Sequence, residues 1–194
     1  MKAFLIIVQI NLITSNIGKV KEFKAILGND IKLNHIKKEY KELRSNSSEE
    51  IARESAKRLA EDMQIPVVVE DSGLFIKALN DFPGTCSSYI HKRIGLKGIL
   101  KLMENIKDRT CYYRSAVAYC EPGKEPVSFL GEEKGAISED IKGVYGFGHD
   151  PIFIPESSKK TYGEMENCET IKKFRKNAVL QLKEYLLKQK ANLK

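Results

Sequence analysis

The stretch Val67-Val68-Val69-Glu70-Asp71-Ser72-Gly73-Leu74 restricts the possible folds more than any other part of the chain. Three consecutive β-branched apolar residues read as a strand covered on both faces, and such strands belong to sheets sandwiched between helices. This one runs into two adjacent carboxylates. Residues 3–14, rich in Ile, Leu and Val, read as a second buried strand. Gln9 and Asn11 interrupt that run, no small-residue cleavage site follows it, and it is too short to span a bilayer, so it is read neither as a signal peptide nor as a membrane span.

Elsewhere the apolar period switches to that of helices. In residues 18–27, Val20, Phe23, Ile26 and Leu27 share one face. A strand is expected at 31–36. SNSSEE opens the next helix, with Ser47 and Ser48 as candidate N-caps and Ile51, Ser55, Leu59 and Met63 along one face. After VVVE, the reading is a turn at DSG, a short strand LFIKAL, a loop at FPG and a helix over 95–106. RTCYYRSAVAYC and EPVSFLGEEKGAI, joined by EPGKE, read as a hairpin. GVYGFGHDPIFIPE reads as a glycine-punctuated loop entering a strand, and 168–189 as one helix with Ile171, Phe174, Ala178, Leu182, Tyr185 and Leu186 inward. Only the last residues, KQKANLK, are polar enough to suggest disorder. With no repeat and no linker, the expectation is a single α/β domain over 1–194, a mixed sheet with flanking helices and an added antiparallel portion.

The formal net charge of +7 admits a polyanionic partner. The lysines are scattered among glutamates, however, with no Arg-rich stripe and no interleaved aromatics, which argues against nucleic acid. Cys86, Cys111, Cys120 and Cys168 form no C-x-x-C pair and have no His at ligand spacing. They are expected as free thiols in a reducing compartment rather than as a zinc site.

Four elements carry chemistry. Thr14-Ser15-Asn16-Ile17-Gly18-Lys19 joins a strand to a helix. Its backbone N–H groups and short polar side chains suit an anion, to which Lys19 adds a point charge, and the same residues also suit an ordinary cap. Glu70-Asp71-Ser72-Gly73 lies where ligands of open α/β sheets bind. Its two carboxylates converge only if the chain bends, which Gly73 permits, and such hard oxygen ligands suit magnesium; a simple Asp turn is the other reading. Glu50, Glu54 and Lys57 share a side of one helix, as a surface pair or, read with Glu70, as a source of a second metal carboxylate in Glu50. Gly146-Phe147-Gly148-His149-Asp150 offers an aromatic face, a ring nitrogen and a carboxylate for a heterocycle, or else a bulge before a strand.

In this order and spacing, TSNIGK, SSEE, EDSGL, FPG-x-x-S, GFGHDPIF and TYGEM resemble the inosine triphosphate pyrophosphatase family, the XTP/dITP diphosphatases, in the form found in archaea and eukaryotes. The resemblance runs from about residue 12 to about residue 180. It implies an elongated α/β fold with a central cleft between two lobes, a cytoplasmic homodimer, and Mg2+-dependent hydrolysis of ITP, dITP and XTP to the monophosphate and pyrophosphate. By motif position, Thr14, Asn16, Lys19 and Ser72 would hold the triphosphate, with Lys57 on a phosphate. Glu50, Glu70 and Asp71 would bind magnesium, and Asp71 would activate water. Phe147, His149 and Asp150 would face the base. Membrane and nucleic-acid partners are not implied.

The resemblance breaks at three places. Cys86 stands where the family usually has Tyr, and His149 where it has Tyr or Trp. The family's Lys and Ser-His-Arg after TYGEM become ENCETIKKFRKNA, in which Arg175 stands for the Arg, Phe174 for the His, and Lys172 or Lys173 for the Lys. The phosphate half is kept and the base half altered, so retained triphosphate chemistry with weakened or changed base selectivity is expected. A chain that binds nucleotides without turnover, or one acting on modified pyrimidine nucleotides, are the alternatives.

Overall fold

The structure, a computed structural model, describes residues 8–191. The first five residues of the expected strand 3–14, and the last three of the chain, lie outside this range.

Seven strands form one sheet among the described residues. They are β1 (Val8–Ile13), β2 (Ile31–Ile36), β3 (Val67–Ile76), β4 (Phe82–Gly84), β5 (Thr110–Cys120), β6 (Val127–Ile137) and β7 (Phe153–Pro155), in the order β2-β1-β3-β5-β6-β7 with β4 also paired to β3. β1 is parallel to β2 and β3, and every other pairing is antiparallel. The helices are α1 (Ile17–Leu27), α2 (Ser48–Met63), α3 (Ser87–Leu102), α4 (Cys168–Ile171) and α5 (Lys173–Ala191).

The period of two along β3 sorts the layers. Val68 faces α1 and α5, in a core with Leu12, Phe23, Val117, Val179 and Leu182. Val67 and Val69 face α2, where Ala52, Ala56 and Ala60 let the helix approach the sheet closely. A third core gathers Leu74 and Ile76 of β3 with Ile99, Tyr113, Phe153 and Phe174. Residues 70–73 thus lie along β3 between two core regions.

Five expectations fail here. DSG is no turn, since β3 runs unbroken through it, held by β5 in the register Glu70–Val117, Asp71–Ala116 and Ser72–Ser115. Gly73 permits a close approach rather than a bend: a Cβ there would lie 2.1 Å from the Gly84 carbonyl oxygen. FPG is β4, paired with Leu74–Ile76. The helix placed at 95–106 starts at Ser87 and passes through a kink at Gly95, whose φ of 62° leaves the helical region. The C-terminal helix is two, broken at Lys172 (ψ 103°), where the Glu133 carboxylate on β6 accepts from the Lys173 and Phe174 amides and caps α5.

Candidate active site

The open edge of β3 creates the site. β1 meets β3 only at Leu12–Val68, and β4 joins at Leu74, so Glu70–Gly73 have a ladder partner on the β5 side alone. A cleft of about 560 Å3 lies over this gap. Thr14, Ser15, Asn16 and Lys19 line one side of it, Asp71, Ser72 and Gly73 its floor, and Phe147, His149, Asp150, Lys172 and Arg175 another wall.

The turn into α1 is both a cap and an opening. Asn16 Oδ1 accepts from the Gly18 and Lys19 amides at 2.9 and 3.3 Å, and Thr14 Oγ1 accepts from the Asn16 amide at 3.1 Å. The helix start, with its partial positive charge, therefore faces the cleft. Gly18 is required because the Phe147 ring lies on it: a Cβ would sit 2.4 Å from the ring. Lys19 reaches across the gap to the Glu70 carbonyl (2.7 Å) and carboxylate (2.8 Å).

Because β3 stays straight, Glu70 and Asp71 point to opposite faces. Glu70 turns toward α5 and is enclosed. Its Oε1 takes the Ser115 hydroxyl at 2.6 Å and Arg175 Nε at 3.1 Å. Burial acts to raise its pKa, but the Arg175 and Lys19 charges prevail and hold it at about 2. Oε1 has hydroxyl and guanidinium partners, and Oε2 has the Lys19 ammonium at 2.8 Å as its ion-pair partner, so the Glu70 charge is matched by Arg175 and Lys19.

Asp71 faces the α2 side. Its Oδ2 is buried and has no hydrogen-bond partner among the described residues. Desolvation pushes its pKa up to about 6 against the pull of Lys19 and the Ser48 hydroxyl. Besides Glu70, a further carboxylate acts on it: Glu42, which the sequence reading missed, lines the cleft and adds its charge to the forces on Asp71. Glu42 lies between β2 and α2, in a segment without helix or strand that is pinned where Arg58 binds the Lys41 carbonyl and Thr85 binds the Ser45 carbonyl. No periodicity marks such a residue.

Glu50 and Lys57, by contrast, do not line the cleft. Glu50 accepts from Ser45 Oγ at 2.6 Å, Lys57 pairs with the exposed Glu125, and both border a separate surface depression. Helical spacing put Glu50, Glu54 and Lys57 on one side correctly, but that side does not face β3. Lys57→Ala and Glu50→Gln are each expected to change kcat/KM for triphosphate hydrolysis by less than about twofold, as exposed positions do, measured by pyrophosphate release.

Among the described residues, no three or more His, Cys, Asp or Glu side chains are grouped to hold a metal on their own. Asp71 and Glu42 still fit a hard divalent cation. Magnesium commonly takes one or two carboxylates and completes its shell with water and substrate phosphate. The orphaned Asp71 Oδ2 is the kind of buried acceptor such an ion satisfies.

The far wall rests on a buried charge network. Glu22 of α1, fully buried, pairs with Lys172 Nζ at 2.5 Å and with the Arg175 guanidinium. Lys172 also pairs with Asp150 Oδ2 at 2.6 Å, and Arg175 Nη2 donates to Ser72 Oγ at 2.9 Å. Lys172, not Lys173, therefore takes the cationic position, with its ammonium 4.5 Å from the centre of the Phe147 ring. Asp150 Oδ2 also accepts from the Phe147 amide at 2.6 Å, so it holds the loop rather than facing the cleft with both oxygens free. Phe174 stacks on Tyr113 with centroids 4.6 Å apart. Of the sequence-derived site residues, Thr14, Asn16, Lys19, Asp71, Ser72, Phe147, His149, Asp150, Lys172 and Arg175 meet around one cleft. Glu22, Glu42, Lys38 and Lys92 were missed; the last three line the cleft, whereas Glu22 lies buried behind it.

The Ham1 family pattern matches residues 10–185. The chain belongs to the Ham1 family. It is 50% identical over 159 residues to a dITP/XTP pyrophosphatase of Methanopyrus kandleri, covering 80% of this chain and 85% of that one. It is 46% identical over 159 residues to one from Saccharolobus solfataricus, covering 81% and 82%. Among solved structures, a HAM1 protein from Coxiella burnetii superposes with a TM-score of 0.81 at 26% identity over 93% of this chain and 99% of that one. The Ham1 protein of Staphylococcus aureus gives 0.78 at 26% identity over 92% and 99%.

Proposed function

We propose that this chain hydrolyses deaminated purine nucleoside triphosphates, dITP, XTP and ITP, to the monophosphate and pyrophosphate with Mg2+. The observation that carries the reading is the meeting, over one gap in the sheet, of a positive helix start flanked by Thr14, Ser15 and Lys19 with a buried carboxylate oxygen that has no hydrogen-bond partner among the described residues. The names of the curated relatives support the same substrates.

The residues divide the work. The Gly18 and Lys19 amides are taken by the Asn16 cap, so phosphate oxygens meet the Thr14 and Ser15 side chains, the positive helix end and the lysines at the cleft. Glu42 and Asp71 would hold the divalent cation, which supplies charge neutralisation on the phosphate oxygens. Without it, the Glu39, Glu42 and Asp71 charges lining the cleft would repel a triphosphate. Asp71, largely ionised at neutral pH, accepts the proton of a water attacking the α-phosphorus, and the bond to the bridging oxygen breaks as pyrophosphate leaves. Phe147 offers a ring face to the base. We further propose that the chain works as a cytoplasmic homodimer, as the resemblance implies; its four cysteines are free, and among the described residues no helix is long and apolar enough to cross a membrane.

Pyrophosphate release is measured with dITP, XTP, ITP, ATP, GTP and pyrimidine triphosphates, with Mg2+ or with chelator. Release from the deaminated purines that stops with chelator is expected; release from none of these substrates, or release insensitive to chelator, overturns the reading. In the same assay Glu42→Gln is expected to raise the Mg2+ concentration for half-maximal rate by about tenfold or more. A value unchanged in Glu42→Gln would remove Glu42 from the metal site.

A further inference from the structure

Two histidines face the cleft where the base of the substrate would lie. His149, 3% exposed, precedes Asp150, and His91 comes from α3. Their rings meet edge to face, with centroids 5.0 Å apart at 72°. Each leaves a buried ring nitrogen without a hydrogen-bond partner among the described residues, Nε2 on His149 and Nδ1 on His91. Native proteins rarely leave such groups unsatisfied. Neither nitrogen belongs to the phosphate site or to the Glu22–Arg175 network, so neither is explained by hydrolysis.

We propose that His91 and His149 together read the edge of the substrate's base, with His91 a selectivity-setting residue. The inference rests on the reading of the site as a purine nucleotide pocket. A phosphate ligand does not suit the His149 nitrogen, because burial and the neighbouring His91 keep the His149 ring neutral. A heterocycle does, since its edge presents carbonyl oxygens and ring N–H groups at the spacing of one hydrogen bond. A neutral imidazole carries one N–H and one bare nitrogen, and a tautomer shift exchanges them. The pair can therefore donate to a 6-keto oxygen or accept from a 6-amino group. A fixed donor would clash with a 6-amino group, whereas an exchangeable one meets it only at the cost of the tautomer shift, so this wall discriminates less sharply than a fixed donor would but still favours one base.

The test compares the wild-type chain with His91→Phe, which keeps the ring and its edge contact and removes the nitrogens, and His91→Gln, which restores a donor and an acceptor. Thermal unfolding checks that each variant is folded, and kcat/KM is measured for ITP and ATP. The inhibition constant of inorganic tripolyphosphate, which has no base, reports the phosphate site. In His91→Phe the ITP-to-ATP ratio is expected to move by more than about twofold and up to about tenfold, the worth of one hydrogen bond. Tripolyphosphate inhibition should stay constant, and His91→Gln should return the ratio toward wild type. In chain labelled with 15N histidine, ring-nitrogen signals should shift with ITP and not with tripolyphosphate. A ratio constant to within about twofold, or ring signals equally blind to both ligands, overturns the proposal while leaving the hydrolase reading intact. A wild-type chain that hydrolyses no nucleotide and shows no ring shift with ITP overturns both.

Discussion

Asp71→Asn is expected to lower kcat/KM for ITP by about 10²–10⁴-fold, the contribution usual for a positioned general base. The substitution conserves shape on a strand held by β5 at Asp71–Ala116, so the fold should survive it. It removes the one cleft-floor carboxylate that has a free buried oxygen. It also relieves the desolvation that pushes the pKa of Asp71 up to about 6, so Asp71→Asn should be at least as stable as wild type near neutral pH, where the ionised, buried carboxylate costs stability. Loss of turnover with unchanged or raised thermal stability is thus the signature of a catalytic rather than a structural group. The pH profile adds a second check. In wild type the acid limb should lie at or below about 6, moving lower as Mg2+ rises, because a bound cation favours the ionised carboxylate. Turnover of Asp71→Asn within about tenfold of wild type would remove Asp71 as the base.

Glu22→Gln is expected to destabilise the fold by about 3–5 kcal/mol, as breaking a buried pair does when the remaining charges stay uncompensated. Glu22 has no exposed side-chain surface and is shared by Lys172 and Arg175, whose side chains are 1% and 2% exposed; Asp150 and Glu70 are their other partners, so its loss leaves one buried positive charge uncompensated. Against a typical total of about 5–15 kcal/mol, the change should be obvious in urea denaturation. Replacing charges with apolar groups of similar volume can be nearly neutral, so Glu22→Leu combined with Lys172→Met should recover part of the loss. That double variant should remain poor in turnover, because Lys172 faces the cleft. A loss below about 1 kcal/mol for Glu22→Gln would show that water or side-chain movement relieves the pair. The same network makes the fold acid-sensitive. Glu70 has a pKa of about 2 against an ordinary 4.5, so its contribution is full above about 4.5 and is lost as pH falls toward 2.

The departures at the base side acquire a physical shape from this network. The segment that stands for the family's Ser-His-Arg keeps only its Arg. Phe174 fills the place by stacking on Tyr113, Arg175 turns to Glu22, Glu70 and Ser72, and Lys172 reaches the cleft wall from the break between α4 and α5. The polar groups left to read a base are then few, and the His91–His149 pair is prominent among them.

The sequence by itself determined the layers and most of the cleft. Val67–Val69 had to be covered on both faces, the hairpin announced itself by its two β-rich runs, and TSNIGK placed a helix start beside a strand end. These are local signals, written in periods of two and 3.6 residues, and local physics suffices to read them. Only the tertiary structure decided the direction in which each charge points. Pairing with β5 kept β3 straight and sent Glu70 to Arg175 and Asp71 to the cleft. The rotation of α2 turned Glu50 and Lys57 away, an irregular segment brought in Glu42, and Glu22 found partners about 150 residues distant. A carboxylate on an amphipathic pattern carries no mark of its partner, because its charge is satisfied by whatever the fold brings within 3 Å or so. The identity of that partner is a property of packing and not of sequence spacing.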